Sequence, residues 1–224
     1  MKTRVMYLSQ ADLAKYLNKK YKGFSSKQYE LLVAFYLAKI ISFKKNKAYS
    51  LAFPILQNTA KELGYGYSEE KVEKIFDTYI QEDTHVDVML VPDHTIKIKS
   101  DGLTGKSKGI AFQIKKIVAK GEESTLEVVK YLKETIPKRY SKTDTSLLLI
   151  IQKPYFEGEL DLNLLTSSLD FKEYPFNQIL FLGGSGEETF FGELWPSFGY
   201  DAYSKEEFLT ITNKRYKHKK IETG

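Results

Sequence analysis

Residues 146–151 read Ser-Leu-Leu-Leu-Ile-Ile, an almost wholly apolar run. Successive side chains of a strand point to opposite faces, so a run like this fits the middle of a sheet that is covered on both sides. The chain carries helices to cover it. Ser25-Ser26-Lys27-Gln28 reads as a capping box opening a helix over Ser26–Phe43, with Leu31, Leu32, Phe35, Leu37 and Ile40 behind it. A first helix precedes it at about Ser9–Asn18. Thr59-Ala60-Lys61-Glu62 opens a short helix that Gly64 ends, and Ser68 caps another with Val72, Ile75, Phe76 and Tyr79 on its apolar side. Ser124-Thr125-Leu126-Glu127 is a second capping box, opening a helix that Pro137 stops.

Between these helices the period changes. Val86–Val91 is an apolar strand with one acid inside it, Pro92-Asp93 a turn, and His94–Lys99 an alternating, half-exposed strand. Asp101–Lys108 reads as a loop, Gly109–Val118 as a further strand, and Gln178–Leu182 as a buried strand closed by Gly183-Gly184. The central order of helix, three strands, helix and strand predicts an α/β fold with a mixed sheet. With no internal repeat, low-complexity tract or linker, the 224 residues read as a single domain. Its core spans about 25–183, with a helical N-terminal extension over 1–24 and a C-terminal extension over 184–224 that ends in a basic tail.

Composition narrows the function classes. The chain has no cysteine, which excludes disulfides and thiolate metal sites. No apolar run follows the positive charges of Met1–Tyr7, so no signal peptide is expected. The longest apolar stretch, Leu31–Ile41, contains Lys39 and is too short to span a bilayer. The reading is of a cytoplasmic protein without a membrane partner. The net charge of +5 and a pI near 9.0 lean toward a polyanion, although 34 basic residues facing 29 acidic ones also describe an ordinary solvated surface.

One constellation carries chemistry. Asp87 lies between Val86 and Val88, where a buried carboxylate is costly unless a cation or donor meets it. Gln113 and Lys115 are two apart in a strand, so they share a face while Phe112 and Ile114 enter the other. If the two strands are neighbours, a carboxylate, an amide oxygen and an ammonium converge. The two oxygens suit a hard divalent cation, Mg²⁺ or Mn²⁺, and the ammonium suits the charge that develops on a phosphate under attack.

The run Asp87-Val-Met-Leu-Val, followed by Phe112-Gln113-Ile114-Lys115-Lys116, resembles the PD-(D/E)XK nuclease superfamily. The glutamine in place of the usual acid resembles its Mrr-like restriction endonuclease branch, where a Q-x-K triplet is common. Tyr29-Glu30-Leu31-Leu32-Val33-Ala34 is similar to that branch's first core helix. The resemblance implies a restriction-endonuclease-like αβββαβ core over about Ser25–Gln152. It also implies Asp87, Glu30 and Gln113 as metal ligands, Lys115 as catalytic lysine, and Mg²⁺-dependent hydrolysis of DNA, in a restriction or defence role. Glu30 and Asp87 stand 57 positions apart, a wide spacing that would make Asn46–Gln81 a mostly helical insertion and leaves Glu70 and Glu73 as rival acids. Asp93 and Asp101 are rival aspartates, and Lys97-Ile98-Lys99 mimics the lysine triplet without an oxygen ligand.

Plainer readings stand beside these. Asp87 pairs with His85 or a lysine, Gln113 and Lys115 form the solvent face of an edge strand, and Glu30 is a surface helix residue. His85 and His94 make no convincing metal pair. Gly183-Gly184-Ser185-Gly186 reads as a plain turn, since Glu187-Glu188 would repel phosphate. Lys116 and the tail residues Lys214, Arg215, Lys217, Lys219 and Lys220 are candidate phosphate contacts, with His218 solvated among them; a frayed terminus gives the same pattern. Cutting both strands of a duplex would favour a homodimer. The alternative function is an inactive nuclease-fold protein that binds nucleic acid or a protein partner. Beyond that lies an interaction protein whose lysines only solubilise it.

Overall fold

The structure is a computed structural model. It describes residues 3–20, 26–56, 70, 86–92, 98–99, 102–103, 109–120, 123–152, 156–157, 160–184 and 187–216. The expected helices from Thr59 and Ser68 lie outside these, apart from Glu70, as do Glu73, His85, Asp93, His94, Asp101 and the tail from Lys217 onward. The fold is α/β with a mixed sheet. Contacts divide the chain into two compact units. The first comprises Met1–Ala111 and Ile211–Gly224, the second Phe112–Thr210.

In the first unit, β1 (Thr3–Leu8) leads into α1 (Gln10–Lys20), α2 (Ser26–Lys45) and β2 (Tyr49–Leu56), and β3 (Val88–Pro92) follows. The N-terminal region is therefore not a purely helical extension, and Tyr49–Leu56 is a strand rather than part of a helical insertion. β1 pairs antiparallel with β2 from Thr3↔Leu56 to Leu8↔Leu51, and β2 pairs antiparallel with β3 from Tyr49↔Pro92 to Ala52↔Met89. The β3 ladder ends at Ala52. At Pro54 the strand is thus paired on one side only, a setting that tolerates a residue without an N–H.

Ser9 caps α1, its Oγ accepting from Asp12 N at 3.1 Å and donating to Asp12 Oδ2 at 2.7 Å. Buried Gln10 ties three elements together, with Nε2 donating to Ser42 Oγ at 2.7 Å and to Tyr49 O at 2.9 Å. α2 is buried over most of its girth, as its apolar composition requires. Of the expected strand His94–Lys99, the described part is β4 (Ile98–Lys99), which pairs antiparallel with β5 (Gly102–Leu103), residues of the expected loop.

β6 (Ile110–Lys116) begins in the first unit and continues in the second. Its approach is tight: a Cβ on Gly109 would meet Leu90 O at 3.2 Å. After the short β7 (Ala119–Lys120) come α3 (Ser124–Lys130), a π turn (Tyr131–Thr135) and α4 (Ile136–Arg139). β8 (Ser146–Gln152) follows, then β9 (Phe156–Glu157), which pairs with β7, then α5 (Leu162–Ser167) and β10 (Gln178–Gly184). Two antiparallel strands, β11 (Glu188–Trp195) and β12 (Gly199–Ser204), and α6 (Lys205–Asn213) complete the chain's described elements.

The second unit's sheet is mixed. β8 is parallel to β6 and to β10, while β10–β11 and β11–β12 are antiparallel. β8 is buried along Ser146–Ile151, as its sequence demands. Val128, Leu132 and Ile136 of the α3–α4 helix pack with Leu147 and Leu149 of β8 and with Phe176 and Ile179.

Three local expectations need correction. Glu123, not Ser124, is the α3 N-cap, and it makes no side-chain capping bond; Ser124 and Thr125 are buried, with Thr125 Oγ1 accepting from Asp161 N at 3.0 Å. Pro137 does not stop the helix: the π turn just before it loosens the i→i−4 register that proline cannot complete, and the helix runs to Arg139. Gly183-Gly184 belongs to β10 rather than to a turn. A Cβ on Gly183 would sit 2.8 Å from Ile151 O, so glycine permits the close approach of β10 to β8.

Candidate active site

Asp87 is the residue immediately before β3, not inside it; it is half-buried between half-buried Val86 and buried Val88. Glu30 lies in the second turn of α2 and is also half-buried. Both belong to the first unit. Glu70 is exposed.

Gln113 and Lys115 belong to the second unit and occupy alternate positions of β6, in register with Leu147 and Leu149 of β8. Gln113 is 2% exposed, so it does not lie on a solvent face. Glu30, Asp87, Gln113 and Lys115 each already engage other groups of the protein. Lys115 is half-exposed, and its Nζ lies 5.8 Å from the centroid of the Tyr140 ring, a cation–π distance. Tyr131 shares this neighbourhood. Burial pushes its phenol up, while the Lys115 ammonium pulls it down, Tyr140 raises it and Arg139 lowers it. The Tyr131 phenol is thus held neutral in the neighbourhood of the Lys115 ammonium. A cleft of about 240 Å³ is lined by Lys116, Ile117, Val118, Ala119, Glu127 and Tyr131. Lys116, expected to contact nucleic acid, is exposed on this cleft.

Tyr131 and Tyr140 escape a sequence reading because nothing in their spacing links them to Lys115. They meet it only when the α3–α4 helix crosses from β6 to β8. Of the expected tail contacts, Lys214 and Arg215 are exposed in the first unit, and the remainder lie outside the described residues.

As a donor set, Glu30, Asp87 and Gln113 offer two carboxylates and an amide oxygen. These are hard oxygen ligands of the kind Mg²⁺ and Mn²⁺ take, with no soft donor among them. Among the described residues, no group of three His, Cys, Asp or Glu side chains is placed to hold a metal ion, and no helix is long and apolar enough to cross a membrane.

No protein-family model matches the chain, and no curated protein or solved structure matches it significantly.

Proposed function

We propose that the protein is a Mg²⁺- or Mn²⁺-dependent nuclease with a restriction-endonuclease-like core, hydrolysing phosphodiester bonds in DNA. The observation that carries this reading is where the chemistry falls in the order of elements. α2, β2, β3, β6, the α3–α4 helix and β8 run αβββαβ, leaving aside the two-residue strands. Asp87 immediately precedes the second of the three strands, and Gln113 and Lys115 sit on the third. The intervening β2 also accounts for part of the 57 positions between Glu30 and Asp87.

Asp87 and Gln113 would hold the cation, with Glu30 as the further acid. A bound divalent cation polarises the phosphate and acidifies the attacking water. Lys115 supplies a positive charge for the oxygens of the phosphate under attack, where fixed charge lowers the barrier most. The Tyr140 ring orients that ammonium, and the neutral phenol of Tyr131 adds no competing negative charge.

Supercoiled plasmid incubated with the protein in Mg²⁺ or Mn²⁺ should be nicked and linearised, and chelation should stop the reaction. Plasmid left intact in both metals removes the proposal. A second reading, a protein of this fold that grips nucleic acid without cutting, is favoured by the neutral amide of Gln113. It predicts salt-sensitive binding and no cleavage.

A further inference from the structure

The last turn of α2 and the segment after α6 form a surface in the first unit that hydrolysis does not use. α2 ends in Phe43-Lys44-Lys45, and the chain turns through Asn46, with φ of 48°, to Lys47. All five are exposed, Phe43 at 42% despite being a large apolar ring. The segment after α6 is seated on this end. Lys39 Nζ donates to Lys214 O at 2.7 Å, and Lys214 Nζ lies 5.3 Å from the centroid of Phe43 and 5.4 Å from that of Tyr216.

Lys39, only 6% exposed, is the anchor, held below the usual lysine range by burial and then by Arg215. A buried ammonium thus pins one basic segment onto another. No acidic residue occurs between positions 31 and 61 or between 208 and 221. Asp12, in the first turn of α1, takes the Ser9 hydroxyl at 2.7 Å.

Stretches that carry cations and no acid of their own suit a polyanion. The exposed ring among them narrows the class: a duplex hides its base faces in the stack, whereas a single strand offers them to an aromatic side chain. We propose that this end of the first unit docks single-stranded nucleic acid, with Lys45, Lys47, Lys214 and Arg215 on the phosphates and Phe43 stacking on a base. The inference rests on the nucleic-acid reading of the chain but not on cleavage.

The test is fluorescence anisotropy of the full chain with a labelled oligo-dT of about 20 nucleotides and with a duplex of equal length. Excess EDTA keeps cleavage out of the readout. Phe43→Ala should weaken oligo-dT binding by about 5- to 100-fold and leave duplex binding unchanged, because stacking on one base is at stake. The Lys45→Ala/Lys47→Ala variant, altered only at solvated positions, should lower the salt slope for oligo-dT by about 1.4, two phosphate contacts on a single strand. Circular dichroism confirms folding, and the double-lysine variant keeps the test alive if Phe43→Ala misfolds. Either variant binding oligo-dT as wild type does would overturn the proposal, as would equal weakening on the duplex. So would binding to phosphatidylserine vesicles in place of oligo-dT. Plasmid that resists cleavage leaves this surface standing, and cleavage without oligo-dT binding removes the surface alone.

Discussion

α2 and β6 each set a lysine among apolar neighbours, and the two are held in opposite ways. Lys39 of α2 is buried, donates to a backbone carbonyl, lies 5.3 Å from the centroid of the Phe35 ring, and has its ammonium disfavoured by burial and by Arg215. Lys115 of β6 is half-exposed beside Tyr140, on the strand face it shares with buried Gln113. The first is an anchor that turns its charge inward to fix a segment of chain. The second stays partly exposed, with its ammonium near an aromatic ring. A lysine inside an apolar run is thus ambiguous in sequence, and the structure separates the two by how far each is buried.

The largest effect expected is on the chemistry that Lys115 is proposed to serve. Asp87→Asn keeps the side chain's shape and removes the charge that would hold the cation. Cleavage should fall on the order of 10²–10³-fold, with DNA binding and melting temperature preserved. Undiminished cleavage would move the acid elsewhere, Asp93 or Asp101 first.

The support beneath Lys115 comes next. Leu132 is fully buried in the helix that carries Tyr131, and its carbonyl accepts from Tyr174 Oη at 3.1 Å. Leu132→Ala should cost about 2–5 kcal/mol, read by urea unfolding. A loss under about 1 kcal/mol would mean that this helix collapses into the gap without strain.

A smaller loss should follow Asp161→Ala, because Asp161 Oδ1 accepts from Asn163 N and Leu164 N, both at 2.9 Å, and so caps α5. About 1 kcal/mol is the usual cost of losing such a cap. This change stays within the second unit and should leave Lys39 and its segment untouched.

The smallest effect is in the pH profile. With its folded pKa below its ordinary value of 10.5, Lys39 binds fewer protons folded than unfolded in the window between the two. Stability contributed by this group therefore rises with pH through that window, and the buried charge weighs most on the fold below it. Lys39→Met removes the titration. Wild type should gain stability relative to Lys39→Met as pH climbs toward 10.5, a difference in which the upward-shifted Tyr216 phenol cancels. A constant difference across the window would show that Lys39 is not held as an unfavourable cation.

Much of the fold was legible where the hydrophobic pattern is strong and local. β8, β6, β10 and α2 announce themselves by apolar runs or helical periodicity within a few residues. β1 and β2 do not, because each is completed by a partner far along the chain, Thr3 with Leu56 and Tyr49 with Pro92, and because Pro54 argues against a strand. The π turn and the buried Ser124 were illegible for a related reason: tertiary packing overrode a proline stop and a capping box. At the candidate site, alternation placed Gln113 and Lys115 on one face, but it could not say that Gln113 is buried or that Tyr131 and Tyr140 attend Lys115. The apolar surroundings of Lys39 were visible in the sequence, and their meaning was not, since its acceptor lies 175 positions away.

The most direct test sets the two lysines side by side. Single-turnover cleavage of an end-labelled DNA duplex in saturating Mg²⁺ is measured for wild type, Lys115→Ala and Lys39→Met, with melting curves on the same samples. The account predicts that Lys115→Ala melts as wild type does and loses cleavage about 10²–10³-fold, while Lys39→Met cleaves within a few-fold of wild type. Equal cleavage by Lys115→Ala and wild type would contradict it, as would loss of cleavage in Lys39→Met with the fold intact.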